Sequence, residues 1–155
     1  MFHFEQQDLN VRLTGKRILK NWMKSTLQKR GMKVGEISLI FVSDDYILDL
    51  NKKSLGHDYY TDIITFDYSE GDIVSGDLFI SLDTVLANSE EYPQLYTPFF
   101  ECELCRVMIH GLLHMSGEDD HSEEQLQRMR AAENDALKDI AGFIASGSVR
   151  CSFKR

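Results

Sequence analysis

No stretch of this 155-residue chain approaches the ~20 consecutive apolar residues that cross a bilayer, so a membrane-spanning helix is not expected. The first residues, Met1-Phe2-His3-Phe4-Glu5, lack the basic and apolar regions of a secretory signal, so none is expected there. Cysteine is scarce and odd in number, at three, which suits a reducing compartment and excludes a disulfide-built scaffold. Cys102 and Cys105 form one C-x-x-C, but no second pair completes a four-cysteine zinc site, so both are read as buried helical thiols. Internal repeats and a Pro/Gly/Ser linker are absent as well. The length then fits one domain with a single core, and 43% hydrophobic with 27% charged residues is an ordinary globular composition.

Charge is unevenly placed. The net charge is −8, yet residues 1–33 carry eight Lys or Arg against only Glu5 and Asp8. Such asymmetry fits a phosphate-binding face, and it fits a solvated helix surface equally well.

Periodicity outlines the elements. Phe2 to Leu13 alternates loosely and reads as a first strand. Thr14 is placed to cap a helix to about Arg30, with Ile18, Leu19, Trp22, Met23 and Leu27 on one face and Gly31 as its stop. Glu36 to Ser43 reads as a buried strand, and Asp44 or Asp45 as the cap of a short helix to about Lys53. Thr61 to Tyr68 and Gly76 to Leu82 read as strands paired around the Glu70-Gly71-Asp72 turn. Asp83 to Glu91 is helical up to the break at Pro93. Thr97-Pro98 is an N-cap with proline at the first helical position, opening a helix to about Ser116. Ser122-Glu123-Glu124-Gln125 is a capping box for a last helix with Leu126, Met129, Ala136, Leu137 and Ile140 inward. The Ser-, Gly- and base-rich residues 143–155 are expected to fray, leaving residues 1–142 as the domain. Interleaved strands and helices followed by helices predict an α/β (α+β) fold: a small mixed sheet with helices packed around it.

The chemistry is concentrated in His110-Gly111-Leu112-Leu113-His114-Met115-Ser116-Gly117-Glu118-Asp119-Asp120-His121. His110 and His114 are four residues apart in a helical run, so both imidazoles leave the same face. A third histidine, His121, follows in the loop after Gly117 and would complete a facial three-histidine metal site with an open position for water, the catalytic form of zinc coordination. The spacing approaches the zinc-protease pattern H-E-x-x-H-x-x-G-x-x-H. Gly111, however, stands where a protease carries its general-base glutamate, so an ordinary metalloprotease is not expected.

These residues resemble the signature H-G-x-L-H-x-x-G-x-D-H of the YbeY endoribonuclease family, with one residue inserted before His121. Asn51-Lys52-Lys53 followed by Asp58-Tyr59-Tyr60-Thr61-Asp62-Ile63-Ile64-Thr65-Phe66 is similar to the family's N-x-x-(F/Y)-R-x-x-D-x-P-T-D-V-L-S-F. Gly76-Asp77-Leu78-Phe79-Ile80-Ser81 resembles its G-D-I-x-I-S strand, and the blocks together cover about residues 36–140.

The resemblance implies a cytoplasmic, metal-dependent, single-strand-specific endoribonuclease. It implies one zinc held by His110, His114 and His121, and a role in 3′-end maturation of the 16S rRNA precursor and in small ribosomal subunit quality control. Asp119 or Asp120 is the alternative third ligand, since zinc also accepts carboxylate oxygen. Thr61, Asp62 and Thr65 fall on the family's cleft-side strand. Asp62 is then a candidate catalytic carboxylate, and Thr61 and Thr65 are candidate substrate contacts. The family's arginine falls at Leu55, so His57 or Lys53 is the candidate phosphate-binding cation. A metal hydrolase of a non-RNA substrate, and a ribosome-assembly factor with a structural metal, are the alternatives.

Overall fold

The computed structural model describes residues 1–56, 61–91 and 99–155. The chain runs β1 (Phe2–Gln6), β2 (Asn10–Thr14), α1 (Lys16–Lys29), β3 (Lys33–Val42), α2 (Asp44–Leu55), β4 (Ile63–Asp67), β5 (Ile73–Ser81), α3 (Leu82–Glu91), α4 (Phe100–Met115), α5 (Glu123–Lys138), α6 (Ala141–Ala145) and β6 (Arg150–Lys154). One sheet has the order β1-β3-β5-β4; β1, β3 and β5 are parallel and β4 is antiparallel to β5. This is the expected small mixed sheet with helices around it.

Sheet faces explain the strand sequences. β3 is apolar at consecutive positions because both its faces are covered. Ile37, Leu39 and Phe41 join the main core with α1, α4 and α5, whereas Ile40 and Val42 join a smaller cluster with Ile47 of α2 and Ile64. Ile63 and Ile64 divide the same way, so by alternation Thr65 shares the α4 side of β4 with Ile63. Helix α4 lies close on β4 and β5 because Gly111 has no side chain: a Cβ there would stand 2.8 Å from both Ile63 Cδ1 and Leu78 Cδ2.

Three expectations are corrected. The single strand over Phe2 to Leu13 is two strands in different sheets. Its inward residues change phase, from Phe2 and Phe4 to Leu9, Val11 and Leu13, and a chain with period 2 cannot keep both sets inward without a break. Asp8, within the break, accepts from Ser43 N at 2.9 Å. The helix caps also lie one residue from the expected sites. Gly15, with φ 84°, precedes α1 because Thr14 belongs to β2, and Ser43 rather than Asp44 or Asp45 caps α2 through Tyr46 N. The proposed cap at Thr97 lies outside the described residues.

Residues 143–155 are ordered. β6 pairs antiparallel with β2, placing Cys151 opposite Leu13 and Phe153 opposite Val11. Ile144, Val149 and Cys151 are buried, and Phe153 packs against Phe100 with ring centroids 5.7 Å apart. The polar composition concealed this, because a ribbon with one covered face needs an apolar residue only at alternate positions.

Candidate metal centre

Helix α4 sets up the site. It is buried through most of its length, and only His110 and His114 in its second half turn toward a polar opening. Their rings meet edge to face, with centroids 4.6 Å apart. Gly117, at φ 111°, ends the helix and releases the loop to α5. That loop is pinned at both ends. Arg30, the residue that follows α1, donates to Ser116 Oγ at 3.0 Å and to Glu118 Oε1 at 2.7 Å. Beyond it, the Ser122–Gln125 capping box is present as expected, and Gln125 Oε1 accepts from His121 N at 3.0 Å and Ser122 N at 3.2 Å.

Between these anchors Asp120 turns inward. Its Oδ2 lies 3.6 Å from His110 Nε2 and 3.4 Å from His114 Nε2. Among the described residues, these three form a group whose ligand atoms all lie within 4.8 Å of one another, a spacing that could hold one metal ion. The sequence expectation is corrected here: His121 is exposed and stands outside the group, because its backbone is held by Gln125. Asp119 is exposed too. The sequence contained the signal. Without an insertion, the last histidine of H-G-x-L-H-x-x-G-x-D-H falls on Asp120.

Behind the pair lies a charged network that sequence reading missed. Glu133 of α5 is buried at 2% exposure, and its Oε2 accepts from His110 Nδ1 at 2.6 Å. A carboxylate only accepts, so the proton of that bond sits on Nδ1, and in the neutral ring the lone pair is then on Nε2, the nitrogen on the Asp120 side. Metal-binding histidines are commonly oriented by such a carboxylate. The other oxygen of Glu133 accepts from Arg106 Nη1 at 3.4 Å. Arg106, one turn before His110, also donates to Glu103 from Nε at 3.0 Å and from Nη2 at 2.6 Å. Its Nη2 lies 3.7 Å from Asp62 Oδ2. Burial opposes its charge, but the hydrogen bonds to Glu103 and the charges of Glu103, Glu133 and Asp62 outweigh that and raise its pKa above the usual arginine value. The spacing Arg106-x-x-x-His110 and the buried slot of Glu133 on α5 were the available clues.

The other candidates are spread around this centre. Asp62 immediately precedes β4, its carbonyl accepts from Ser81 N at 2.9 Å, and among the described residues it connects to the histidines through Arg106 and Glu133. Thr61 donates to Ile63 O at 3.4 Å, and Thr65 is half-buried on the α4 side of the sheet. His57 lies outside the described residues. Leu55 is 48% exposed and Lys53 pairs with Asp49 at 2.9 Å, so Arg106 is the cation nearest the histidine pair in this network.

A ligand set of two imidazole nitrogens and one carboxylate oxygen suits a transition metal or zinc. The convergent Nε2 atoms and the Glu133-oriented ring meet that requirement. The C-x-x-C thiols do not contribute. Cys102, Cys105 and Cys151 are buried, and burial raises the pKa of Cys105 and pushes Cys151 up to about 12.

The family model described as endoribonuclease YbeY matches residues 1–141. Endoribonuclease YbeY of Phocaeicola vulgatus is 48% identical over 137 residues, covering 88% of this chain and 96% of that protein. The protein of the same name from Porphyromonas gingivalis is 46% identical over 144 residues, 93% of each chain. The solution structure of TM1509 from Thermotoga maritima superposes with a TM-score of 0.67 at 28% identity, covering 95% of this chain and 93% of that one. With the two-histidine helix and the mixed sheet in place, these matches show that the chain belongs to the YbeY endoribonuclease family.

Proposed function

We propose that the chain is a metal-dependent endoribonuclease of single-stranded RNA. We further propose that it acts in the cytoplasm on the 16S rRNA precursor within the small ribosomal subunit. The observation that carries the reading is the convergence of His110 Nε2, His114 Nε2 and Asp120 Oδ2 within 4.8 Å in a chain whose relatives are named as endoribonucleases. These three residues are the proposed ligands of one zinc ion per chain. Bound there, a divalent cation supplies Lewis-acid stabilisation of charge on phosphoryl oxygens and acidifies a water, less strongly than among three neutral imidazoles.

The protein's own residues do the rest. Glu133 holds the His110 proton on Nδ1 and fixes the ring. Arg106 pairs with Glu103, Glu133 and Asp62 at once and offsets part of their charge, which lessens their repulsion of one another and of a phosphodiester. Asp62, Thr61 and Thr65, with His57, are the proposed contacts to the RNA strand. Gly111 leaves no glutamate at the protease base position, which favours RNA over a peptide.

Metal content by mass spectrometry tests the ligand set. About one metal per chain is expected in the wild type and in His121→Ala, with loss in Asp120→Ala and His114→Ala. RNA cleavage should follow the metal, and the end group on the upstream fragment distinguishes attack by water from attack by the 2′-hydroxyl. Wild-type protein that stays metal-free after zinc is supplied overturns the reading.

A further inference from the structure

We infer that the β2–β6 ribbon is a second RNA contact, one that grips the phosphate backbone of single-stranded RNA away from the metal centre; the inference rests on the endoribonuclease reading. The ribbon has two unlike faces. In register, Val11 pairs with Phe153 and Leu13 with Cys151, and these face the core. The intervening residues are all exposed: Asn10 opposite Lys154, Arg12 opposite Ser152, and Thr14 opposite Arg150. The outer face therefore has three cations, three neutral polar residues and no carboxylate.

Pairing separates these cations from others in the chain. Lys29, Arg30, Lys33, Lys53, Arg106, Arg128 and Arg155 each have an acidic partner within 4.0 Å. Arg12, Arg150 and Lys154 have none among the described residues, although the protein carries a net charge of −8 and acids are plentiful. Helix α1 extends the same field. It has no Asp or Glu, and Lys16, Arg17 and Lys24 are exposed and unpaired among the described residues. Two of these lie in its first turn, where the helix dipole disfavours cations, so the arrangement costs helix stability. Gly15 joins the two features: a Cβ there would stand 2.9 Å from Val149 Cγ2, so α1 begins against the base of β6.

The partner follows from the chemistry. A cleft of about 510 Å³ runs along the ribbon and is lined by Arg12, Lys154, Gln6, Asn10, Ser152 and Phe153. Cations and neutral donors aligned along an exposed ribbon, with no carboxylate among them, match the phosphate backbone of a strand followed without sequence preference. The face adjoins the N-terminal end of α4 through Cys151 N, which donates to Glu101 Oε2 at 3.0 Å. Glu101 stands nine positions before His110, about 14 Å along the helix axis, so ribbon and metal centre are different sites on one rigid element. β6 lies beyond residues 1–141 of the family match.

The test is fluorescence anisotropy of a short labelled single-stranded RNA titrated with full-length protein across a salt series. The variants are Arg12→Gln/Arg150→Gln/Lys154→Gln and, as a charge control on α5, Arg130→Gln/Lys138→Gln. If the three cations each contact a phosphate, the salt slope falls by about 2 and binding at 0.1 M salt weakens on the order of 100-fold, while the control stays within about twofold of wild type. If the triple variant is less folded than wild type by circular dichroism, Arg12→Gln/Lys154→Gln replaces it, with a slope loss of about 1.4. A triple variant that keeps the wild-type slope, as a face built for an acidic protein would, overturns the inference. So does an equal loss in the α5 control. Cleavage of the same RNA is scored separately: RNA held through the ribbon but never cut would refute the endoribonuclease reading and leave the ribbon contact standing.

Discussion

Replacing Glu133 by glutamine changes one atom of a buried side chain, and the structure says what should follow. Glu133 is 2% exposed and uses both oxygens, one accepting from His110 Nδ1 at 2.6 Å and the other from Arg106 Nη1 at 3.4 Å. An amide accepts through only one of its two ends. If glutamine keeps its oxygen toward His110, its NH2 group faces the guanidinium, donor against donor; reversed, the ring loses its acceptor. Either way the carboxylate's support of His110 is gone. Loss of such an outer partner typically costs 10- to 100-fold in metal affinity, or about 1.4–2.8 kcal/mol. Folding should also suffer by about 1–3 kcal/mol from the mispaired donor, lowering Tm by several degrees for a chain of this length. Competition with a chromophoric chelator measures the first, and thermal unfolding with and without metal the second. Imidazole nitrogen spectra would report whether the Nδ1 proton is still fixed. A Glu133→Gln protein that binds metal as tightly as wild type, with the His110 tautomer unchanged, would refute the argument that this carboxylate orients the ligand.

Three further outcomes are expected. Gly111→Ala should gain about 1 kcal/mol in helix propensity but lose about 1–3 from a Cβ 2.8 Å from Ile63 and Leu78, so Tm should fall, and a rise would show that α4 has room to shift. Arg106→Met should destabilise by about 3 kcal/mol in urea titration because Glu103, Glu133 and Asp62 then face one another without a cation, whereas Arg106→Lys should recover part of the loss; equal loss in both would mean that shape rather than charge is needed. Cys151 is pushed up from 9.0 to about 12 by burial first and then by Glu101. A raised folded pKa contributes stability that is fully present below pH 9 and is lost as pH rises toward 12, so Cys151 should resist alkylation at pH 9 when folded and react readily in urea. Rapid modification of the folded protein at pH 9 would contradict the burial.

The corrections share a cause. Asp120 and His121 are adjacent and both are acceptable zinc ligands, so residue type does not choose between them. The choice is made by Gln125, which holds His121 N, and by Arg30, which holds Ser116 and Glu118 from the end of a helix more than eighty residues away. Arg106 and Glu133 escaped notice for a similar reason. Each looks like an ordinary helix residue in one dimension, and only the packing of α5 on α4 brings them to the back of His110. The ordered ribbon depended on β2 and β6 meeting across almost the whole chain, and strand pairing at that separation has no local signature.

What the amino-acid sequence determined by itself was local: the helical face shared by His110 and His114, the Ser122–Gln125 capping box, the Gly117 stop and the β4–β5 hairpin around Glu70-Gly71-Asp72. Periodicity, caps and turns act over a few residues, so neighbouring side chains suffice to specify them. Only the tertiary structure decided which loop residue turned toward the histidines, which carboxylate stood behind them, and which strand the C-terminal residues would join. Those outcomes depend on groups far apart in sequence and close in space, and the burial and hydrogen bonds that select them exist only once the layers have packed.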